Sequence, residues 1–390
     1  MTSRERVLTA LNHQEPDRVP LFVGTSGVTT LLGPAYERLK AHIGISNRPP
    51  AWISPLFGYA LLDEDVMGLL GSDGRPVLPG PVPSAVARQL APDRVIDAWG
   101  VTWIKAPESL YFEPRIAPLA SATIDDLDRY PWPDLAAESR FTGLAEQARK
   151  IQEAGYASVY VGGIILFDQA CMLRGTENLL MDILTDKEFF AALINKILDR
   201  VLAHIHAVSR HMGRHLDLFV TACDLGSQNA PLISPACYRE MLKPAHARMF
   251  AAIKSGTAAK TFFHSCGSIY PLLGDLIEAG VDVINPVQVS ATDMADTARL
   301  KHEFGRHLTF CGGIDTQRVL PRGTADDVRA EVRRRILDLA RGGGYIASAV
   351  HCIQPDVPPE NVVGMCDEVK RFGKYPIAAA RLEPETEQQP

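Results

Sequence analysis

The chain has 390 residues, of which 46% are hydrophobic and 22% charged, and its formal net charge is −6. That composition suits a globular protein with a sizeable core and excludes a largely disordered chain. The acidic balance supplies no basic field for nucleic acid or an anionic membrane surface, so small molecules and other proteins are the expected partners.

No uncharged apolar run reaches the roughly 18 residues of a membrane span. The best candidate, ASVYVGGIILFDQACML, is broken by Asp168 and contains two glycines. The N-terminus begins with charges and an amphipathic turn instead of the apolar core of a signal peptide, so a cytoplasmic protein is expected. The seven cysteines, at 171, 223, 237, 266, 311, 352 and 366, lack close regular spacing. In a reducing compartment they are thiols or ligands and not a disulfide framework.

Taken in chain order, SRERVLTALNHQEP has apolar residues at helical spacing with Ser3 as its cap, and RVPLFVG follows as a first strand. Residues 25–135 are rich in proline and predict an irregular cap of loops and short hairpins. After a helix near 139–154 the pattern becomes regular. ASVYVGG, LDLFVTACDLG, AKTFFHSC, VDVINPVQ, LTFCGGID and YIASAVHC read as strands. Between them FFAALINKILDRVLAHIHAVSRHM, SPACYREMLKPAHARMFAAIKS, SIYPLLGDLIEAG, MADTARLKHEFG and TADDVRAEVRRRILDLARGGG read as helices, and PPENVVGMCDEVKRFG closes the series. Such alternation predicts parallel strands with right-handed crossovers, most economically closed as a (β/α)8 barrel. The expected organisation is one barrel domain over 1–376, with an irregular N-terminal extension to 135 and a flexible tail over 377–390.

Barrel chemistry sits where strands end. Here those ends read ACDLGSQ, FHSCGS, INPVQVS, FCGGIDTQ and VHCIQPDVPPEN, which gathers polar and sulfur-bearing residues at one face. His264 and Cys266 are two apart in a strand, point the same way and are able to grip one ion. Zinc takes three or four nitrogen and sulfur ligands and keeps an open position in catalytic sites. Candidates for the third ligand are Cys352 and Cys311, with His351 behind them; adjacent His351 and Cys352 are expected to face opposite ways. Cys311 also reads as a small apolar side chain before a glycine turn.

Asp224 ends a strand and is a candidate for orienting a ligand or binding substrate, or is an Asx-type cap. Gln228 shares its loop, and Asp315 has the same standing with a helix-capping alternative. Asp356 and Glu360 suit the start of the last helix without a catalytic role. His211 and His215 lack the intervening glutamate of a metalloprotease helix, and RGGGY precedes a strand, which makes it a helix stop.

RERVLTALNHQEPDRVP, DAWGVTW, DLGSQNAPLISPACYREMLKPAHARMF, FFHSCGSIYPLLGDLIEAGVDVINPVQ, LTFCGGIDTQRVLPRGT and QPDVPPENV together resemble the uroporphyrinogen decarboxylase superfamily across nearly the whole chain. The resemblance implies a barrel fold and two chemistries. True decarboxylases carry an arginine-rich loop after the first strand, whereas this chain has LFVGTSGVTTLLG with no arginine. The other branch comprises corrinoid-dependent (cobamide) methyltransferases, whose zinc is held by an H-x-C pair and a distant cysteine. His264 and Cys266 match the pair, and Cys352 stands at the distant position, where many relatives have asparagine. Cys223 replaces the first aspartate of the family's paired acids, leaving Asp224.

The resemblance therefore implies a zinc-dependent methyltransferase, with His264, Cys266 and Cys352 as ligands and Asp224, Gln228 and Asp315 towards the substrate. The methyl group moves between a small thiol or O-methyl compound and a corrinoid. The chain has no D-x-H-x-x-G segment, so cobalamin is expected on a partner protein. The alternatives are a metal-free decarboxylase-like lyase and a non-catalytic barrel that carries a corrinoid or tetrapyrrole.

Overall fold

Thr2, and not Ser3, caps the first helix, Ser3–Leu11. Its hydroxyl accepts the Glu5 N–H (3.2 Å) while the Glu5 carboxylate accepts the Thr2 N–H (2.8 Å), a reciprocal box that satisfies two orphan donors. The computed structural model describes residues 1–45, 49 and 51–377, so the tail expected from 377 lies, after its first residue, outside the described residues. No described helix is long and apolar enough to cross a membrane.

Seven strands run in chain order through one parallel sheet: β1 (Gly74–Val77), β2 (Ala157–Ile165), β3 (Leu218–Ala222), β4 (Lys260–His264), β5 (Val283–Asn285), β6 (Thr309–Ile314) and β7 (Tyr345–Ala349). Residues 20–22 bridge the two edges. The Phe22 N–H donates to the Ala347 carbonyl of β7 (2.9 Å), and the Asp73 N–H, just before β1, donates to the Leu21 carbonyl (2.8 Å). The expected first strand is thus a short bridge. Pro20 has no N–H to give a ladder, and the Leu21 and Val23 N–H groups go to the Asp73 carboxylate and Ser72 hydroxyl instead.

Period two decides what faces inward. Phe22, Val159, Leu218, Val220, Phe262, Val283, Cys311 and Ile346 fill the interior together with Val7 and Leu11 of the first helix. Cys311 is fully buried among them, which agrees with its reading as an apolar filler. Phe263, one residue on from Phe262, points outward and packs edge-on against Phe250 of the helix Lys243–Gly256. The interior is therefore solid below, and His264 is the next inward position above Phe262 in β4.

One departure from the sequence reading has a clear cause. The single helix expected over 234–255 is two, Pro235–Met241 and Lys243–Gly256, because Pro244 lacks the N–H that would reach the carbonyl of residue 240. The proline-rich segment holds an antiparallel pair, Ala51–Ser54 with Tyr59–Leu61, and a four-stranded antiparallel sheet over 88–116. The paired strands place Tyr59 beside the C-terminal ends of the parallel strands, where it lines the same cavity as His264. β2 is bulged between Val161 and Ile164, and Gly163 takes the left-handed φ of +67° that such an insertion needs.

Candidate metal and substrate site

The register of β4 and β5 sets His264 directly against Asn285. His264 Nδ1 lies 2.5 Å from Asn285 Oδ1, while Asn285 Nδ2 donates to the Cys311 carbonyl (3.0 Å). That second bond fixes which end of the amide faces the histidine, so the hydrogen-bond network assigns the hydrogen to Nδ1 and the lone pair to Nε2. Nε2 points at Cys266 Sγ, 3.3 Å away. A ring held by its far nitrogen and presenting a lone pair beside a thiol is the arrangement of a metal ligand with its supporting hydrogen bond.

His351 completes a group of three. One ligand atom each from His264, Cys266 and His351 lie within 4.8 Å of one another. Cys352 borders this group, with its Sγ 3.1 Å from His351 Nδ1. The expectation that His351 and Cys352 face opposite ways fails because β7 ends at Ala349 and residues 350–352 bend, so strand alternation no longer applies. Burial pushes the Cys352 thiol up to about 12 against the opposing hydrogen bonds from Gln354 and Tyr59. Burial likewise raises the Cys266 thiol, with the Asp224 and Asp168 carboxylates adding to it. Burial, and then His264 alongside, lowers His351 to about 4, which keeps that ring neutral. Left to themselves both thiols stay protonated at neutral pH; a bound cation reverses that preference.

Asp224 braces the cysteine loop: one carboxylate oxygen accepts the Cys266 N–H (2.8 Å) and lies 3.9 Å from His264 Nε2. Its own N–H donates to Asp168 (3.0 Å). Burial, and then the neighbouring Asp224 charge, push Asp168 up to about 7. In the sequence Asp168 stood out only as an interruption of an apolar run, although its place just past the end of β2 was the available signal. Gln228 and Asp315 lie elsewhere. The Gln228 amide donates to the Ser290 carbonyl in an exposed loop. Asp315 caps the turn after β6 by accepting the Gln317 N–H (2.7 Å) and Arg318 N–H (3.3 Å). Neither lines the cavity beside His264. Glu360 sits in the first turn of the helix Pro359–Phe372, as helix electrostatics favour.

That cavity has a volume of about 340 Å³ and a mainly apolar wall that includes Val28, Phe57, Tyr59, Leu78, Val161 and Val220. Its volume is that of a small-molecule pocket. Among the described residues a single arginine, Arg140, lines it. A porphyrinogen with many carboxylates would lack cationic partners there.

Similarity to known proteins agrees with this architecture. A uroporphyrinogen decarboxylase of Syntrophotalea carbinolica is 26% identical over 186 residues, covering 47% of this chain and 49% of that protein. A methylated-thiol–coenzyme M methyltransferase of Methanosarcina mazei is 25% identical over 229 residues, 58% of each chain. The chain thus spans about half the length of the curated relatives it matches. A solved structure of a methyltransferase from Methanosarcina mazei superposes with a TM-score of 0.65 at 18% identity, over 95% of this chain and 99% of that one, which shows a shared fold. Residues 96–372 match the uroporphyrinogen decarboxylase (URO-D) family, and the chain belongs to that family.

Proposed function

We propose that this chain is a zinc-dependent methyltransferase, a single barrel domain over 1–376 that moves a methyl group between a small thiol or O-methyl compound and a corrinoid protein. The observation that carries the reading is the His264–Cys266 pair, with the Nε2 lone pair fixed by Asn285 and aimed at the thiol, and a third donor within 4.8 Å. The methylated-thiol methyltransferase among the relatives supports it, and the scarcity of cations in the cavity weighs against a polycarboxylate decarboxylase.

The donor set fits zinc: imidazole nitrogen and thiolate sulfur, convergent, with room left for an open position. His264 and Cys266 are the first two ligands. For the third we favour Cys352, because two thiolates cancel the charge of a divalent ion in a buried site, whereas one thiolate and two imidazoles leave a cation there. His351 then supports Cys352 through the 3.1 Å contact between its Nδ1 and that sulfur. When bound, zinc supplies a Lewis acid that activates a thiol or polarises an ether oxygen.

The protein's own groups do the rest. Asn285 holds the proton on His264 Nδ1, and Asp224 fixes the backbone of Cys266. Asp168, whose carboxyl burial and then Asp224 push up to about 7, accepts the Asp224 N–H and so supports the loop that holds Cys266. The apolar wall excludes water from the small substrate.

The test combines zinc content with turnover. Purified protein is expected to hold about one zinc per chain, lost in folded His264→Ala and Cys266→Ala variants, and to demethylate methoxy or methylthio compounds when a corrinoid protein is supplied. A well-folded protein that takes up no zinc when offered it sinks the proposal and returns the decarboxylase-like lyase or the corrinoid-carrying barrel as the reading.

A further inference from the structure

Among the described residues no carboxylate forms an ion pair with the buried cation Arg140, and Asp134 acts on it only through its charge. The Arg140 side chain is almost wholly enclosed, at 4% exposure. Nε donates to the Gly80 carbonyl (3.1 Å), and Nη1 donates to the Leu135 carbonyl and lies 2.8 Å from His204 Nδ1. His204 Nδ1 also lies 2.9 Å from that Leu135 carbonyl, so this nitrogen either accepts from Arg140 or donates to Leu135, and Nε2 lies 2.8 Å from the Tyr160 hydroxyl. Burial holds His204 neutral, down at about 4. Every partner of the guanidinium is therefore uncharged, no carboxylate among the described residues pairs with it, and Nη2 makes no hydrogen bond to any of them.

A charge enclosed in this way is costly unless something of opposite sign meets it. Arg140 lines the same cavity as His264. The bulge in β2 helps bring that wall down onto the network: a Cβ at Gly162 would lie 2.6 Å from the Tyr160 ring and 2.8 Å from His204 Nε2, so only glycine fits.

We propose that the cavity selects a substrate with one oxyanionic head group, carboxylate or sulfonate, seated on Arg140, and an apolar body that carries the methyl group. This rests on the cavity being the substrate chamber of the proposed methyl transfer. One cation admits one anionic group, and the aliphatic and aromatic wall takes the remainder. With Nε and Nη1 already engaged, Nη2 is the free donor, so the head group is held at one nitrogen instead of by a two-pronged fork.

The test is calorimetric titration of the unaltered protein with three meta-substituted probes of one shape: methoxybenzoate, methoxybenzenesulfonate and methoxybenzamide. At least one anion is expected to bind about tenfold or more tightly than the neutral amide, and the tighter anion identifies the head group. The preference is expected to vanish in Arg140→Gln and to survive weakened in Arg140→Lys. Equal or tighter binding of the amide, no binding of either anion at millimolar concentration, or an unchanged preference in folded Arg140→Gln overturns the inference. Should Arg140→Gln fail to fold, the probe series on the unaltered protein decides alone. Titrating Cys266→Ser separates the two proposals: an anion preference retained there stands without the metal, even if methyl transfer fails.

Discussion

Asn285 orients His264: the amide oxygen sits 2.5 Å from Nδ1 and the amide nitrogen is spent on the Cys311 carbonyl, so the ring cannot turn its other nitrogen to Cys266 without giving up the bond to Asn285. Replacing Asn285 with alanine removes that brace while leaving all proposed ligands in place. Zinc affinity is expected to fall about 10- to 100-fold, and stability by about 1–3 kcal/mol for the buried groups left unpaired. Competition with a colorimetric chelator reads the first and urea unfolding the second. An Asn285→Ala protein that binds zinc as tightly as the parent would show that the ring needs no such support.

The adjacent residues His351 and Cys352 give a sharper test, because the structure gathers His351 with His264 and Cys266 while charge balance favours the thiolate. Cys352→Ala is expected to lose zinc almost completely. His351→Ala is expected to keep it, with affinity reduced about tenfold as for a supporting contact. The reverse ranking would assign the third position to His351 and the supporting role to Cys352. Elemental analysis after dialysis distinguishes the two.

Much of this was legible in the sequence because parallel strands bury both faces and read as apolar runs between amphipathic helices. The His264–Cys266 spacing permitted a shared side by period two, and the structure brings the two side chains to 3.3 Å although β4 ends at His264. Other features depended on geometry that no local pattern carries. Residues 20–22 join the sheet edges with few ladder bonds, so they read like a strand without being a regular one. His351 and Cys352 share a side only because the chain bends past Ala349. Asp168 and Arg140 gain their meaning from what lies near them in space: a second carboxylate 56 positions along the chain, and a histidine 64 positions along.

Stability should fall as acid is added, and His246 should account for part of it. This histidine is fully buried between Tyr238 and the Phe250–Phe263 pair, and burial lowers it to about 4. The unfolded chain binds its proton near 6.5. Between about 6.5 and about 4 the unfolded state therefore holds the extra proton, and the stability present above 6.5 is progressively lost as pH falls through that window. His246→Gln, which keeps a partner for the Tyr238 hydroxyl, is expected to flatten the pH dependence near pH 5 by up to about 1.4 kcal/mol per pH unit. Urea unfolding at several pH values measures the slope, and an unchanged slope would place the titration elsewhere.

The position of Cys266 rests on two glycines that touch. Gly267, at φ +86°, would with a Cβ stand 2.5 Å from the Gly226 carbonyl, and a Cβ on Gly226 would stand 2.7 Å from the Cys266 carbonyl. The same loops are tied by the Ser268 N–H to the Ser227 carbonyl (2.8 Å), and the Gly267 N–H donates to Gln288 (2.8 Å). The contacts are backbone to backbone, so no side chain can swing aside to make room. Gly267→Ala must move the loop that carries Cys266, in addition to adopting a conformation unfavourable for any residue with a Cβ. The expected cost is about 2–4 kcal/mol in unfolding free energy, with at least about a tenfold loss of zinc affinity in protein that keeps its secondary structure. Gly274, within the helix Leu273–Ala279 and with no atom near its Cβ position, is the control, expected to gain stability by about 0.5–1 kcal/mol as alanine. If Gly267→Ala binds zinc like the parent, the close approach of the two loops matters to packing and not to the placement of the thiol.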